Sequence, residues 1–557
     1  MPGKKEIIVM LESIADLLEY YGGNPFKVTA FRNGANAIRR SAIEIDKIAG
    51  EKSLDKVKGI GKGIQSVIYE FYETGKSSAY DELKKGAPEG IDDLLKIRGL
   101  GPKKIKMLCT ELGISTLGEL ENACKANRLA LLKGFGEAVQ TKIIAEIEKQ
   151  KLYSKFILLN AADTISEEIL EKISNFSTLS KIVHTGELRR GTEVISEINF
   201  VLLAPDKDSF LSELKKTFTF ELQEDKVIVK DEYPVPIVFF IVTREDDYCK
   251  QLFVTTGSRE FIEGLNADSK IKYSGNEHEI FKSINFPYVI PEMREKEYFD
   301  LNDPKLKDNS DLSIDHFRGL LHFHTTYSDA GNSLEEMLSE AQKEGFEYAA
   351  VCDHSKFAAY ANGLSENRVL LQKQEISKLA SSYKLHIFQG IESDILQTGD
   401  LDYSMDFLNN FDFVVASVHS RFGMEEAEMT KRIVRAVENP YTDLLGHPSG
   451  RLLLSRDPYR FDVKKVIDAC SANKVAIEIN ASPQRLDLEW RWIYYAREKG
   501  CLFSINPDAH STENISYIKY GVLTARKGGV KNSEVINCFS LENFKKFLNR
   551  KVKRSLN

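Results

Sequence analysis

The sequence predicts a multidomain chain: an α-helical N-terminal region punctuated by glycine turns, and a C-terminal barrel of alternating strands and helices carrying a metal site. Three observations predict it. At 557 residues the chain is too long for a single hydrophobic core. Short Gly-apolar-Gly turns recur between helical stretches in the first third. From about residue 316 onward, apolar runs alternate with helical stretches, and several of the runs end in histidine or a carboxylate.

The C-terminal runs are explicit. Tyr348 to Val351 leads into Asp353-His354, and Phe411 to Val418 leads into His419. Val475 to Ile479 leads into Asn480, and Leu502 to Ile505 leads into Asp508 and His510. Helical stretches such as Ser333 to Glu344 and Val463 to Ala472 lie between them. Such alternation predicts a parallel sheet. Ligands at the ends of successive strands predict a closed barrel with its site at the C-terminal rim.

The candidate ligands are His322, His324, Asp329, His354, Glu392, His419, His447, Asp508 and His510. Six of the ten histidines in the chain fall in this set. Histidine with carboxylate suits borderline and hard divalent ions such as Zn, Mn or Fe. Nine ligands exceed the needs of one ion and suit two or three, the usual equipment for attacking a phosphodiester. His184, His278, His316 and His386 lack ligand neighbours and read as ordinary core or surface histidines. Lys356 and Arg451, each just after a ligand motif, are the cations expected to contact phosphate.

This order and spacing resemble the PHP (polymerase and histidinol phosphatase) family, from about His316 to the C-terminus. The resemblance implies a distorted seven-stranded (β/α) barrel with a trinuclear site. It implies that His322, His324, Glu392 and Asp508 hold one ion, that Glu392 bridges to a second held by His419 and His447, and that Asp329, His354 and His510 hold the third. Glu392, His419 and Asp508 are then the residues expected at the reacting centre. One neighbour departs from the pattern: Ile505-Asn506-Pro507 precedes Asp508 where the family often has Ser-Thr.

Composition excludes several classes. The N-terminus has no apolar core of signal-peptide type, and no apolar run approaches the ~20 residues that span a bilayer. Seven cysteines scattered without a Cys-x-x-Cys predict reduced thiols in a cytoplasm. A net charge of −7 is not that of a protein coated in cations, so contacts to nucleic acid would be local. A monomer is expected.

Three turns recur in the N-terminal third: Gly59-Ile60-Gly61-Lys62, Gly99-Leu100-Gly101 followed by Lys103 and Lys104, and Gly134-Phe135-Gly136. Two glycines permit a tight turn and close backbone approach. The helix that follows offers free N–H groups to a phosphate, which holds nucleic acid without reading its sequence. The pattern resembles the helix-hairpin-helix family. The third copy is weaker as a DNA contact, because Glu137 stands where a cation would.

Ile14 to Phe31, with its Gly22-Gly23-Asn24-Pro25-Phe26 centre, resembles the opening of the small N-terminal domain of family X DNA polymerases. Some members carry a lyase lysine in the helix after the first hairpin; here that place holds Val67, so Schiff-base chemistry is not expected. Gly186-Glu187-Leu188-Arg189-Arg190 followed by Glu197-Ile198-Asn199 resembles the family's nucleotidyltransferase signature, Gly-Ser-x-Arg-Arg then Asp-x-Asp. Thr256-Gly257-Ser258 resembles its nucleotide-binding turn, and His278 to Glu295 its thumb. These resemblances imply an α+β palm and thumb. The departures matter: Glu187 replaces the triphosphate serine, Glu197 and Asn199 replace the paired aspartates, and the strand near Pro236 to Phe240 has no acid. Magnesium needs oxygen ligands, usually carboxylates. The expected palm is therefore degenerate, with Arg189 and Arg190 either holding a phosphate or serving the architecture.

The expected layout is 1–85 a small helical domain, 86–152 a fingers-like hairpin region, 153–299 palm and thumb, 300–315 a polar linker, and 316–557 the barrel. The arrangement resembles bacterial family X DNA polymerases with a C-terminal PHP domain. That resemblance implies a Mn-dependent 3′–5′ exonuclease, in some members also an abasic-site endonuclease, acting in base excision repair on gapped, nicked or 3′-ended DNA. Three alternatives stand beside it: an active gap-filling polymerase, a scaffold that binds gapped DNA without catalysis, and a small-molecule phosphatase.

Overall fold

The computed structural model describes residues 3–40, 52–57, 59–224, 226–267, 271–273, 275–298 and 303–549. The chain divides into two units, Met1–Ser154 and Lys155–Asn557.

The first unit is helical. Lys62–Thr74, Pro102–Leu112 and Glu137–Tyr153 each begin directly after one of the glycine turns. The three turns share one geometry. Gly59, Gly99 and Gly134 have φ of +100°, +89° and +91°, a region open to glycine and closed to most other residues. Gly61, Gly101 and Gly136 then cap the following helices in extended conformation. The apolar residue between each pair, Ile60, Leu100 or Phe135, is buried. It pins the turn to one of two small cores, around Leu11, Ile64 and Ile68 or around Ile105, Leu108 and Ile147. Val67 is half-buried against the first core.

The described residues of the second unit contain a two-stranded antiparallel pair, Ile157–Leu158 with Val194–Ile195, and two larger sheets. In the smaller, five strands run in the order Lys181–Thr185, Ile198–Leu203, Ile237–Val242, Lys226–Val229, Phe220–Gln223. Only Ile198–Leu203 and Ile237–Val242 pair in parallel; the other pairings are antiparallel. This is the expected α+β middle region.

The larger sheet has seven strands in sequence order, all parallel: Gly319–Phe323, Tyr348–Val351, His386–Asp394, Phe413–Ser417, Leu444–Leu445, Ala476–Asn480 and Phe503–Asn506. Alternate side chains divide between two cores, as strand pleating requires. Leu321, Tyr348, Ala350, Phe388, Phe413, Val415 and Leu444 form one with Phe544, Phe547 and Leu548 of the last helix, Leu541–Leu548. Phe323, Ala349, Val351, Val414, Ala416, Ile477, Ile479 and Ile505 join the core that includes the surrounding helices.

The barrel closes by two devices. A backbone bridge joins Phe323 to Ala509, with the His324 amide donating to the Ala509 carbonyl at 2.9 Å. Farther down, the buried side chain of Asn537 fills the seam. Its Nδ2 donates to the carbonyls of Gly319 (3.1 Å) and Ile505 (3.0 Å), and its Oδ1 accepts from the Ile505 amide (2.9 Å). One side chain thus stands in for ladder bonds that the first and seventh strands cannot make directly.

The stretch 303–315, within the expected linker, is not a free tether. Leu306 and Leu312 are fully buried, Asn309 accepts from the Ile290 amide at 3.1 Å, and Asp308 pairs with Arg497 at 2.9 Å. Its polar composition reflects hydrogen bonding to both neighbours rather than exposure; residues 300–302 lie outside the described set. Middle region and barrel are joined further by Lys519–Asp163 (2.5 Å) and Arg526–Glu292 (2.7 Å).

Candidate metal centre

Every candidate ligand sits at or just beyond the end of a barrel strand, and the fold brings all nine together. Glu392, near the end of the third strand, is the hub. Its carboxylate lies 2.8 Å from His354 Nδ1, 2.9 Å from His447 Nε2, 3.2 Å from His419 Nε2, 3.5 Å from His322 Nε2 and 3.8 Å from His324 Nε2. Asp508 lies 3.0 Å from His324 Nε2 and 3.6 Å from His322 Nε2. Asp329 lies 3.4 Å from His510 Nε2 and 3.6 Å from His354 Nε2. Three groups have ligand atoms within 4.8 Å of one another: His322, His324, Asp508; His324, Asp329, His354, His510; and His354, Glu392, His419.

Local backbone explains how neighbouring positions all face inward. The pairing of the first strand slips between Leu321 and Phe323, as a bulge does. Leu321 therefore stays in the inner core while Phe323 turns out, and both His322 and His324 reach the site. His322, His447 and Asp508 have φ of 57°, 23° and 52°. Non-glycine residues held there cost about 1–3 kcal/mol each and cluster where function demands them.

The donor set fits divalent metal. Buried atoms without a hydrogen-bond partner include His322 Nε2, His324 Nδ1, Asp329 Oδ1, His354 Nδ1, Glu392 Oε2 and His447 Nδ1. Buried polar atoms are almost always satisfied, so such a concentration points to a bound group. Burial alone would raise the Glu392 carboxyl, yet His419, His354 and His322 outweigh it and hold it well below the carboxylate range. Burial would likewise lower His419, but Glu392 and Asp394 push it up to about 10. Imidazole–carboxylate sets of this kind suit Zn, Mn or Fe.

A supporting layer lies behind the ligands, and the sequence reading missed it. Buried Glu478 on the sixth strand places Oε1 2.6 Å from His322 Nδ1, and its Oε2 accepts from the His447 amide at 2.7 Å. Asn480 and Asn506 donate to the same carboxylate at 3.2 and 2.8 Å. Asp394 lies 3.3 Å from His419 Nδ1. Asp353 accepts from the amides of Thr325 (2.8 Å) and Ser328 (3.1 Å), fixing the loop that carries Asp329. A period-two signal was present, since Glu478 and Asn480 interrupt an apolar strand on one face.

The phosphate expectations divide. Lys356 is 40% exposed, paired with Glu366 at 2.5 Å. Arg451 is corrected: its guanidinium is buried, donating to the Arg485 carbonyl at 2.8 Å and to Glu193 of the middle region at 2.5 Å. It ties barrel to middle region. A cation does lie beside the candidate ligands: Arg485 Nε is 3.7 Å from Asp508 Oδ2.

The nucleotidyltransferase-like residues are turned inward. Arg189 forms a two-pronged pair with Glu277 (3.1 and 2.6 Å) and donates to Thr256 Oγ1 at 2.6 Å. Arg294 pairs with the same Glu277. Arg190 donates to the Thr256 carbonyl at 2.8 Å and lies 3.2 Å from Glu295, which also pairs with Lys527 of the barrel. Glu187 accepts from the Ser196 amide and hydroxyl (2.6 and 2.9 Å), and Asn199 donates to Glu197 at 2.7 Å. On the parallel neighbour strand, Asn199 is paired with buried Val238.

In the first unit, Lys62 and Lys103 are exposed in the first turns of their helices, and nothing stands within 4 Å of a side chain built at Gly61 or Gly101. Lys104 is half-buried over the Phe135 ring, its Nζ 3.4 Å from the Gly99 carbonyl.

Comparison with known proteins follows this layout. Residues 2–77 match a helix-hairpin-helix domain, 91–149 a SAM-like helix-hairpin-helix tandem, and 321–482 the PHP domain. A "DNA polymerase/3′-5′ exonuclease PolX" of Bacillus subtilis is 34% identical over 98% of this chain and 99% of its own length. A probable phosphatase of Caldicellulosiruptor bescii is 31% identical over 32% of this chain and 67% of its own. A probable phosphatase of a Thermoanaerobacter species is 27% identical over 42% of this chain and 95% of its own. Among the described residues no helix is long and apolar enough to cross a membrane. With hairpins, α+β middle region and ligand-rimmed barrel matched along one relative from end to end, the chain belongs to the bacterial family X DNA polymerases that carry a PHP domain.

Proposed function

We propose that this protein is a metal-dependent phosphodiesterase acting on DNA ends, a Mn-dependent 3′–5′ exonuclease in DNA repair, and that its polymerase activity has been lost. The observation that carries the reading is the contrast between two sites. Around Glu392, eight further candidate ligand side chains converge, with buried donor atoms lacking partners. In the middle region, Arg189, Arg190, Glu187 and Asn199 are all engaged with protein partners. The Bacillus subtilis relative is named for both activities; the exonuclease half is the one carried over.

In this reading His322, His324, Glu392 and Asp508 hold one ion, Glu392, His419 and His447 a second, and Asp329, His354 and His510 a third. Bound ions supply Lewis-acid chemistry toward the scissile phosphate and a nucleophile near neutral pH. The chain's own residues do the rest. Glu478, Asp394 and Asp353 fix the orientation of the rings and loop that carry the ligands. Arg485, 18% exposed, supplies a cation beside Asp508 for the phosphate. Lys62, Lys103 and the free amides of the first two hairpins hold the backbone of gapped or nicked DNA without reading its sequence.

The test uses the purified chain, a 5′-labelled primer on a gapped template, and Mn, with and without deoxynucleotides, beside His419→Ala. Progressive shortening in both conditions, abolished by the substitution, is expected. Extension on adding deoxynucleotides overturns the loss of polymerase activity. Tight gap binding with neither shortening nor extension overturns the nuclease in favour of a scaffold.

A further inference from the structure

We propose that Tyr360, supported by Phe357, is the nucleobase-stacking residue of the metal site and makes the base of the nucleotide being removed a determinant of binding. The proposal deepens the nuclease reading and rests on it.

Among the described residues of 155–557, Phe357 and Tyr360 are the only large aromatic side chains left exposed, at 51% and 56%. Single exposed apolar residues need no explanation. These two share one short loop, and that loop leaves directly from a ligand, His354. The Tyr360 ring centroid lies 6.3 Å from that of His354. The ring therefore stands beside a candidate ligand at the rim of the site, within reach of a nucleotide whose phosphate the site holds.

The loop is held, so the rings are presented rather than merely uncovered. Ser355 and Leu364 are joined by a backbone bridge, and Ala358 and Ala361 are buried between the exposed positions. Asn362 Nδ2 donates to the carbonyls of Tyr327 (3.2 Å) and Ser328 (3.1 Å), and Arg368 donates to the Asn362 carbonyl at 2.6 Å. A side chain at Gly363 would meet the Ser355 carbonyl oxygen at 1.9 Å, so the turn can close only on glycine. Positions fixed in this way lose little freedom on binding. No hydrogen bond ties down the Tyr360 hydroxyl among the described contacts, which leaves the ring's face as its usable chemistry. Every base has a π-face, so stacking adds affinity without sequence preference. That suits an end-trimming enzyme whose hairpins grip the DNA backbone without reading sequence. A base can reach the ring only when it is out of the helical stack.

The experiment measures shortening of two labelled oligonucleotides by the full chain with Mn. One ends in an ordinary nucleotide and the other in a tetrahydrofuran residue, which has no base. Tyr360→Ala is expected to raise KM for the ordinary end about 5- to 100-fold, with kcat and the KM of the base-free end unchanged. Tyr360→Phe should behave as the parent, and Phe357→Ala should show a smaller rise of the same kind. In parallel, fluorescence of a 3′-terminal 2-aminopurine, read with EDTA present, should be quenched on binding the parent and Tyr360→Phe but not Tyr360→Ala. An unchanged KM in Tyr360→Ala, or equal rises on both ends, overturns the proposal, as does a loss in Tyr360→Phe equal to that in Tyr360→Ala. If the parent shortens neither oligonucleotide, the nuclease reading falls, while the fluorescence arm still decides whether Tyr360 stacks a base.

Discussion

Glu478 Oε1 lies 2.6 Å from His322 Nδ1, though 156 residues separate the two side chains. The same carboxylate accepts from the His447 amide, so it braces two strand ends at once. Carboxylates behind metal-binding imidazoles fix the tautomer and strengthen the ligand, and their loss costs about 10- to 100-fold in metal affinity or activity. Glu478→Gln should lower Mn affinity by that factor while the protein stays folded. Titration calorimetry with Mn checks it; unchanged affinity would leave Glu478 a purely structural brace.

Arg451 and Glu193 give the second prediction. Both are largely buried and lie 2.5 Å apart. Breaking a buried pair by removing one partner costs about 3–5 kcal/mol, because the other charge remains buried. Arg451→Ala and Glu193→Ala should each lower the denaturant midpoint, and the double variant should lose less than their sum. Activity per folded molecule should hold. A KM defect in Arg451→Ala without loss of stability would restore the phosphate contact expected from its position after the His447 motif.

Glu277 gives a pH dependence. Burial alone would raise its carboxyl, but Arg189 and Arg294 outweigh it and hold it below the ordinary range. A carboxyl with a depressed folded pKa contributes stability above its unfolded pKa of about 4.3 and loses it as pH falls through the folded value. Glu277→Gln should be clearly less stable than the parent at pH 7. The gap should close as pH falls below about 4. Urea midpoints across that range measure it, and a gap independent of pH would assign the loss to packing.

Asn537 carries three hydrogen bonds across the barrel seam. Asn537→Ala leaves buried backbone groups unsatisfied, at about 1–3 kcal/mol each. Thermal unfolding should report a large loss, with faster exchange of the Ile505 amide. Exchange that stays slow would show that the Phe323–Ala509 bridge suffices.

Lys62 and Lys103 test the hairpins. Each Lys→Ala change should weaken DNA binding evenly across sequences and reduce the slope of log affinity on log salt by about one. A sequence-dependent loss would mean that a base is being read.

The cluster of candidate ligands was legible because its members lie in short motifs at or just beyond strand ends, where an imidazole or carboxylate breaks an apolar run. The glycine turns were legible because positive φ at Gly59, Gly99 and Gly134 leaves few other choices. Glu478 was not, because its role comes from the barrel bringing it opposite His322 and not from any neighbour in the chain. Arg451 misled for the same reason: its place after His447 suggests a ligand contact, but the docked middle region supplies Glu193 and turns the side chain away. The stretch 303–315 looked like a tether because its polar groups are obvious and the burial of Leu306 and Leu312 depends on surfaces far away in sequence.

The inward pairing of Arg189 and Arg190 commits both guanidinium groups to the scaffold of the middle region. Aspartates placed at Glu197 and Asn199 would still face a neighbouring strand, Ile237–Val242, that has no acid, and would leave the two arginines engaged. Both arginines would still be held by Glu277 and Glu295, and freeing Arg190 would leave Glu295 to Lys527 alone. Releasing either would leave a largely buried carboxylate with one partner fewer. Any single change that frees either arginine toward a nucleotide would therefore weaken the middle region's own scaffold.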